Sequence, residues 1–260
     1  MGVSKILFIY VYVDILAFVL GTVFGSFINC MAWRIVHGES VLKGRSHCAV
    51  CGHVLKAADL VPVISYLVCR GKCRYCGEKI SPRYPLTELL TGAAFLGAEL
   101  RFPLSFQAVR VMVLSCILLG LSLVDLDSYE IPDRFPAAGI LWWAATVPFM
   151  DKPWTLQLKE GLTGAAVIAG GLLLLSLLFD KITGKESLGG GDIKLLFMLD
   201  LYLGPWVGLF HLILACLTGL LFVAVRRQKK IPFGPAISLA GYFCLLFGDA
   251  FLQWYLGLLV

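Results

Sequence analysis

Long apolar segments dominate the sequence and limit what it can fold into. Of its 260 residues, 59% are hydrophobic and 15% are charged, and the mean hydropathy is +0.85. A helix needs about 20 mostly apolar residues to cross a bilayer. We predict an all-α polytopic membrane protein with about eight transmembrane helices, or six if the short segments 136–150 and 193–204 do not cross. The apolar segments lie near residues 6–29, 86–100, 104–124, 136–150, 161–179, 193–204, 206–225 and 235–258.

The distribution of basic residues predicts the orientation in the membrane. In an eight-helix arrangement, 17 of the 22 Lys and Arg residues fall on one side. Cytoplasmic loops are enriched in these residues, so we expect this side to face the cytoplasm and both termini to lie outside. The net charge of +5 is then a consequence of topology, and we expect no nucleic-acid partner.

One connection, residues 37–84, is long enough to form a small domain and contains five of the nine cysteines. Cys48 with Cys51, and Cys73 with Cys76, form two C-x-x-C pairs, each followed by a glycine that permits a tight turn. Four thiolates in this pattern are typical of a tetrahedral zinc site. Disulfides or a redox couple are the alternative, which a reducing cytoplasm disfavours. Because the loop has few apolar residues, we expect zinc to supply much of its folding free energy.

Several carboxylates lie where apolar segments end, and an ionisable group at membrane depth is a candidate for function. The segment LSLVDLDSYEIPD places Asp125, Asp127 and Asp133 at the end of one apolar helix. The segment GGGD places Asp192 at the start of another helix on the same side. Two neighbouring carboxyl groups can share a proton, one acting as a base toward water and the other as an acid toward a carbonyl. The pattern indicates peptide hydrolysis at the membrane surface.

The glycines before Asp192 indicate how a substrate could approach. Without a Cβ atom, the backbone can take positive φ and an extended peptide can lie close beside it. The alternative is an ordinary helix N-terminus, where an acid in the first turn is favourable. We expect Asp133, which follows a proline, to cap the next helix in preference to a catalytic role. We also favour Glu88 as an ordinary first-turn acid over a site residue.

Short motifs follow one another along nearly the whole chain. They are GSFINC and WRI (residues 25–35), the two C-x-x-C pairs with PVISYL and RGKC between them, RYPLTELLTG (83–92), DLDSYEIPD (125–133), GGGD (189–192) and PFGP (232–235). In this order they resemble the type IV prepilin peptidases, the bifunctional leader peptidases and N-methyltransferases of bacterial pilus, type II secretion and competence systems.

The resemblance implies an intramembrane-type aspartic peptidase of the GxGD kind, in which Asp125 and Asp192 are catalytic. It implies cleavage of the basic leader of a prepilin or pseudopilin, after a glycine, at the cytoplasmic face of the bacterial inner membrane. It also implies methylation of the new N-terminal amine with S-adenosylmethionine, and we expect the methyl donor near Gly71 in RGKC. The residues expected beside the substrate are Gly189, Gly191, Asp127 and Asp133.

We expect three parts: residues 1–36 as a first transmembrane helix with the GSFIN motif, 37–84 as a cytoplasmic zinc-binding domain, and 85–260 as a transmembrane peptidase domain. A proton-coupled transporter would use similar carboxylates but predicts inverted repeats, which we do not find in the sequence. A non-catalytic scaffold with a zinc-bound loop would make the aspartates dispensable, and a peptidase without methyltransferase activity is a further alternative. Asp200 and His211 match no motif, and we expect His211 to be a hydrogen-bonded packing residue.

Overall fold

A computed structural model describes residues 2–41, 43–184, 188–226 and 232–258, without the side chains of residues 2–5, 225 and 226. The regular elements in these ranges are helices, together with two isolated antiparallel bridges, His47–Val54 and Lys72–Lys79. Two single-turn 3₁₀ helices, Ala57–Asp59 and Val147–Phe149, accompany the α-helices. The α-helices are α1 (Gly2–Val36), α2 (Ile64–Val68), α3 (Arg83–Arg101), α4 (Phe106–Ser128), α5 (Arg134–Thr146), α6 (Trp154–Thr183), α7 (Gly190–Arg226) and α8 (Gly234–Gly257).

Five helices in the described ranges are long and apolar enough to cross a membrane, namely α1, α4, α6, α7 and α8. This count is lower than the predicted six to eight because it takes α7 as one helix, although its backbone breaks at Gly204, and leaves out α3 and α5. Helix α3 carries four charged residues among its 19. Helix α5 has only 13 residues, about 20 Å of helix, whereas the hydrocarbon core is about 30 Å thick. Helix α7 combines two of the predicted segments. The chain is therefore a multi-pass membrane protein.

The backbone breaks inside α7 at Gly204, where φ is 69° and ψ is −178°. The next residue, Pro205, has no N–H, so the carbonyl of Leu201 cannot receive its helical hydrogen bond. This break separates a first half, residues 190–203, from a second half, residues 205–226. It falls between the segments 193–204 and 206–225 that hydropathy predicts as separate helices.

Contacts with α8 show that the two halves of α7 run in opposite directions. At the start of the first half and of α8, Gly191 and Gly234 both lie against Ile131. Further along the two helices, a Cβ at Gly241 would lie 2.7 Å from Leu199. In the second half, Val207 lies against Gly248 and Thr218 donates a hydrogen bond to the Ala236 carbonyl (3.3 Å). The first half therefore runs parallel to α8 and the second half antiparallel, which makes α7 a helical hairpin.

The chain divides into two compact units, Met1–Gly120 and Leu121–Val260. In the first unit α1 packs closely on α3, because a Cβ at Gly21 would lie only 2.6 Å from the Thr91 carbonyl oxygen. Asn29 of the GSFIN motif donates a hydrogen bond to the Thr87 hydroxyl (2.6 Å). The division of the sequence at residues 36 and 84 stays a prediction.

The second unit places α6 against the α7 hairpin through small residues. A Cβ at Gly161 would lie 2.5 Å from the Leu201 carbonyl oxygen, and one at Gly164 would lie 2.6 Å from the carbonyl carbon of Gly204. Glycines at these positions let the backbones approach closely, as is common between membrane helices. The hairpin turn is therefore covered by α6.

Candidate active site and metal centre

Asp125 lies in the last turn of α4 and its side chain is buried, with 4% of the residue exposed. Its Oδ2 atom accepts a hydrogen bond from the backbone N–H of Gly234 (2.9 Å), the first residue of α8. Helix N-termini carry unsatisfied N–H groups and a positive partial charge, so this position holds a carboxylate well. The bond joins residues 109 positions apart and fixes the orientation of Asp125.

Asp192 lies in the first turn of α7 and is half-buried. The Asp125 carboxylate is near enough to act on it electrostatically. The side chain of Ile131 explains this approach. A Cβ at Gly191 would lie 3.0 Å from Ile131 Cβ, and one at Gly234 would lie 3.2 Å from Ile131 Cδ1. The starts of α7 and α8 therefore pack on one residue, and this brings the two aspartates to the same end of the second unit.

The expectation of positive φ in the GGGD segment is wrong. Gly189, Gly190 and Gly191 all have ordinary φ values, since the positive-φ glycines of the described residues are others. What Gly191 contributes is space for Ile131. Gly189 is exposed, and a Cβ there would lie 3.1 Å from the Asp192 carboxylate. Gly191 therefore permits close packing on Ile131, whereas the backbone at Gly189 is exposed.

The neighbouring carboxylates are on the surface. Asp127 and Glu130 are exposed. Asp133 occupies the N-cap position of α5, but its side chain makes no capping hydrogen bond. Its Oδ1 atom instead bonds to Lys194 Nζ at 2.6 Å. The position predicted for Asp133 is confirmed. The predicted capping bond is wrong, because the carboxylate pairs with the ammonium group of Lys194 in α7.

The four predicted cysteines come together in the first unit. The sulfur atoms of Cys48, Cys51, Cys73 and Cys76 all lie within 4.8 Å of one another, and those of Cys48 and Cys76 are 4.0 Å apart. Zinc–sulfur bonds of about 2.3 Å in a tetrahedron place sulfur atoms about 3.8 Å apart. The cluster therefore fits a metal ion of this size.

Both C-x-x-C turns have the same backbone geometry. The N–H of Gly52 donates to the Cys48 carbonyl and the N–H of Gly77 to the Cys73 carbonyl, each at 2.9 Å. Both glycines lie in the left-handed region, with φ of 68° and 75°, which confirms the predicted tight turns. The backbone N–H groups of Cys51 and Val50 lower the pKa of the Cys48 thiol to about 7. This turn therefore favours the thiolate form, which binds metals.

A carboxylate outside the cysteine cluster holds the loop together. Asp59 bonds to Arg74 Nε (3.1 Å) and accepts hydrogen bonds from the Tyr75 hydroxyl (2.9 Å) and the Lys56 N–H (3.1 Å). The Lys56 N–H and the Tyr75 hydroxyl hold the pKa of Asp59 below its usual range. The fifth cysteine of the loop, Cys69, lies outside the four-sulfur cluster and faces Arg74 Nη2 at 3.7 Å.

A cavity of about 810 Å³ opens beside this loop, entirely within the first unit. Its lining includes Trp33, Arg34, Tyr66, Tyr84 and Glu88. Gly71, at φ 69°, packs its open face against the Tyr66 ring. It lines a smaller adjoining pocket of about 440 Å³ that shares Tyr66 with the larger cavity.

Glu88 has a different position from the one expected. Helix α3 begins at Arg83 and has no acid in its first turn. Glu88 is buried, with 7% exposed, and accepts a hydrogen bond from the Val63 N–H (2.7 Å). Val63 has φ of 59°, which is unusual for a β-branched residue. Glu88 therefore anchors a strained turn of the loop to α3, and no sequence pattern marks this partner.

The fold and the site together define a multi-pass membrane protein with two aspartates at the same end of a helical unit and a four-cysteine cluster in a loop that fits a metal ion. A family profile described as Bacterial Peptidase A24 N-terminal domain matches residues 19–102. A second, described as Type IV leader peptidase family, matches residues 112–224.

Several relatives match most of the chain. A "Type 4 prepilin-like proteins leader peptide-processing enzyme" of Escherichia coli O78:H11 is 38% identical, covering 87% of this chain and 91% of the relative. A "Prepilin leader peptidase/N-methyltransferase" of Pseudomonas putida is 33% identical, covering 92% of each. One of the same name from Aeromonas hydrophila is 35% identical, covering 82% and 74%. No solved structure matches. The chain belongs to the Type IV leader peptidase family.

Proposed function

We propose that this protein is a membrane-embedded aspartic endopeptidase that removes the leader of prepilin-like proteins and N-methylates the new N-terminus. The observation that supports the peptidase site most strongly is the hydrogen bond from the α8 N-terminus to Asp125 (2.9 Å), with Asp192 close enough for electrostatic interaction. In this proposal Asp125 and Asp192 are the two catalytic residues.

The two carboxyl groups divide the acid and base roles. Peptide hydrolysis needs one group to take a proton from the attacking water and one to give a proton to the carbonyl oxygen. Asp125 is buried and fixed by Gly234, whereas Asp192 is half-buried on the exposed GGGD segment. The water is placed between them, and the proton is then passed to the leaving amine. Neither carboxylate forms a covalent bond with the substrate.

The substrate is the basic leader and adjoining segment of a prepilin or pseudopilin. Gly189 and Gly191 leave the backbone before Asp192 without side chains, so an extended peptide lies close beside it. Asp127 is exposed and attracts the basic leader, as does Asp133. The charge of Asp133 is partly balanced by Lys194, so Lys194 weakens the attraction of Asp133 for the basic leader.

The cavity of the first unit fits the methyl donor S-adenosylmethionine, which supplies the methyl group. Its volume of about 810 Å³ lies within the range of about 300–1,000 Å³ typical for small-molecule sites. The aromatic side chains of Trp33, Tyr66 and Tyr84 line it and attract a sulfonium cation, and Glu88 adds a carboxylate to the wall. Gly71 shapes the adjoining pocket, where a larger residue would strike the Tyr66 ring.

Zinc is the metal that we assign to Cys48, Cys51, Cys73 and Cys76. Four sulfur ligands leave no open position for water, so the role is structural. The site stabilises the loop that forms one wall of the cavity.

We place the protein in the bacterial inner membrane, with the active site facing the cytoplasm and both termini outside. This orientation needs eight crossings, so in this proposal α3, α5 and each half of α7 also extend across the bilayer. The excess of basic residues on one side supports this orientation. Four of the residues counted there, Lys185, Arg227, Lys229 and Lys230, lie outside the described residues. The family relationship disfavours the transporter and the non-catalytic scaffold.

Mass spectrometry of a prepilin-like peptide tests both activities in one experiment. The purified protein, in lipid nanodiscs, is incubated with a peptide that carries a basic leader ending in glycine, with and without S-adenosylmethionine. We expect leader removal in both samples and one added methyl group on the new N-terminus only when the donor is present. An intact leader contradicts the peptidase proposal, and cleavage without methylation contradicts the second activity.

A further inference from the structure

Asp200 and His211 form a buried pair that the proposed chemistry does not use. Both residues are fully buried. His211 Nδ1 lies 3.3 Å from Asp200 Oδ1, and His211 Nε2 lies 3.2 Å from the Ile237 carbonyl oxygen. The expectation that His211 is a hydrogen-bonded packing residue is confirmed.

The hydrogen bonds fix the number of protons on the pair. The Ile237 carbonyl can only accept, so His211 Nε2 carries a proton. The bond between Nδ1 and Asp200 Oδ1 contains one further proton, held by either partner. The pair is therefore neutral overall, as suits its buried position.

The pair connects three helical segments of the second unit. Asp200 belongs to the first half of the α7 hairpin and His211 to the second half, and the break at Gly204 lies between them. The Asp200 carboxylate lies against Gly208, where a Cβ would be 2.9 Å from Asp200 Oδ1. Ile237 belongs to the first turn of α8.

These segments are the ones that carry the candidate active site. Asp192 lies eight residues before Asp200 in the same helical half, and Gly234 lies three residues before Ile237. The pair therefore links the helix that presents Asp192 to the helix whose N-terminus holds Asp125 (2.9 Å).

Stability alone is a poor explanation for the pair. Asp200 Oδ2 is buried and makes no hydrogen bond to the described residues. A buried polar group left without a partner is unfavourable, and apolar residues of similar volume are often as stable as a buried polar pair. What an apolar pair cannot reproduce is a directional bond across the hairpin break.

We infer that Asp200 and His211 are positioning residues that hold the α7 hairpin on α8 and so fix the separation of Asp125 and Asp192. This inference rests on the proposed function of the two aspartates. Asn at position 200 can donate a hydrogen bond to Nδ1 of a neutral His211, whereas Leu cannot. The same Asp→Asn change therefore has opposite consequences at positions 192 and 200.

The test measures leader cleavage by the protein in lipid nanodiscs. Methylation of a pre-cleaved peptide is a second readout, because the proposed methyl-donor cavity lies in the unit that does not contain the pair. The variants are Asp192→Asn, Asp200→Asn, Asp200→Leu and the double variant Asp200→Leu with His211→Leu, which leaves no lone polar partner. We expect Asp200→Asn to keep kcat within about threefold. We expect both Leu variants to lose about 10- to 100-fold in kcat, since a displacement of about 1 Å can cost that much, with KM and methylation unchanged.

Three results would overturn the inference. The first is wild-type cleavage by the double Leu variant. The second is an equal loss of cleavage and methylation in that variant, which would show a general structural role. The third is loss of cleavage in Asp200→Asn as severe as in Asp192→Asn, which would make Asp200 a chemical participant. Wild-type cleavage by Asp192→Asn would instead overturn the proposed catalytic pair, so the two failures are distinguishable.

Discussion

Adding a single methyl group at Gly234 should displace Asp125 without removing any catalytic group. A Cβ at this position would lie 2.6 Å from Asp125 Oδ2, whereas a carbon–oxygen contact normally lies near about 3.4 Å. The carboxylate must therefore move by about 0.8 Å. A misplacement of this size costs about 10- to 100-fold in rate, which is about 1.4–2.7 kcal/mol in the activation barrier. We expect Gly234→Ala to lower kcat by this factor and to leave KM nearly unchanged.

The assay is steady-state leader cleavage in lipid nanodiscs, with Gly171→Ala as the matched control. Nothing lies within 4 Å of a Cβ at Gly171, which is exposed in α6 and lies outside the GGGD segment. We expect the control to keep kcat within about twofold, as for surface substitutions in general. If Gly234→Ala cleaves as fast as the control, the hydrogen bond from Gly234 does not hold Asp125 in its reactive position.

Two further predictions concern the first unit, and a third concerns Lys194, the partner of Asp133. Chelation of zinc should unfold residues 43–84 and leave the long helices intact. Hydrogen exchange should therefore accelerate at the Gly52 and Gly77 amides. Unchanged protection of these amides would contradict a structural metal. In a thermal unfolding assay, Glu88→Leu should destabilise the protein by about 1–3 kcal/mol, because the Val63 N–H loses its acceptor. Glu88→Gln should destabilise it less. Equal losses of stability would refute the role of this hydrogen bond. Lys194→Met should lower KM for a basic leader by about 2- to 5-fold at low salt and less at high salt; a KM independent of salt would exclude this electrostatic effect.

Hydropathy alone predicts most of the helical segments. Each predicted apolar segment falls largely on a helix of the structure, and the Gly204–Pro205 pair marks the hairpin turn of α7. The number of spans is harder to predict, because a window of apolar residues does not show whether α5, with 13 residues, crosses the bilayer. The two C-x-x-C pairs predict their own cluster, since both turns are local and each is set by the glycine after it.

The contacts that position the aspartates are not visible in the sequence. The bond from Gly234 to Asp125 joins residues 109 positions apart, and Ile131 contributes through its shape rather than through any chemical signature. Asp133 lies at the N-cap position of α5, as predicted, yet its carboxylate bonds to Lys194 instead of capping the helix. Local preference identifies the residue types near the site, while long-range packing decides which partner each of them finds.

The central claim is that Asp125 and Asp192 form one catalytic pair, and single-turnover cleavage by Asp125→Asn and Asp192→Asn tests it most directly. Asparagine keeps the size and hydrogen bonding of the side chain and removes its titratable proton. Zinc content and methylation of a pre-cleaved peptide serve as controls for folding. We predict that each variant retains zinc and methylation and cleaves at least about 100-fold more slowly than the wild type, as expected for loss of a general acid or base. Wild-type cleavage by either zinc-loaded variant would contradict the paired-carboxylate mechanism.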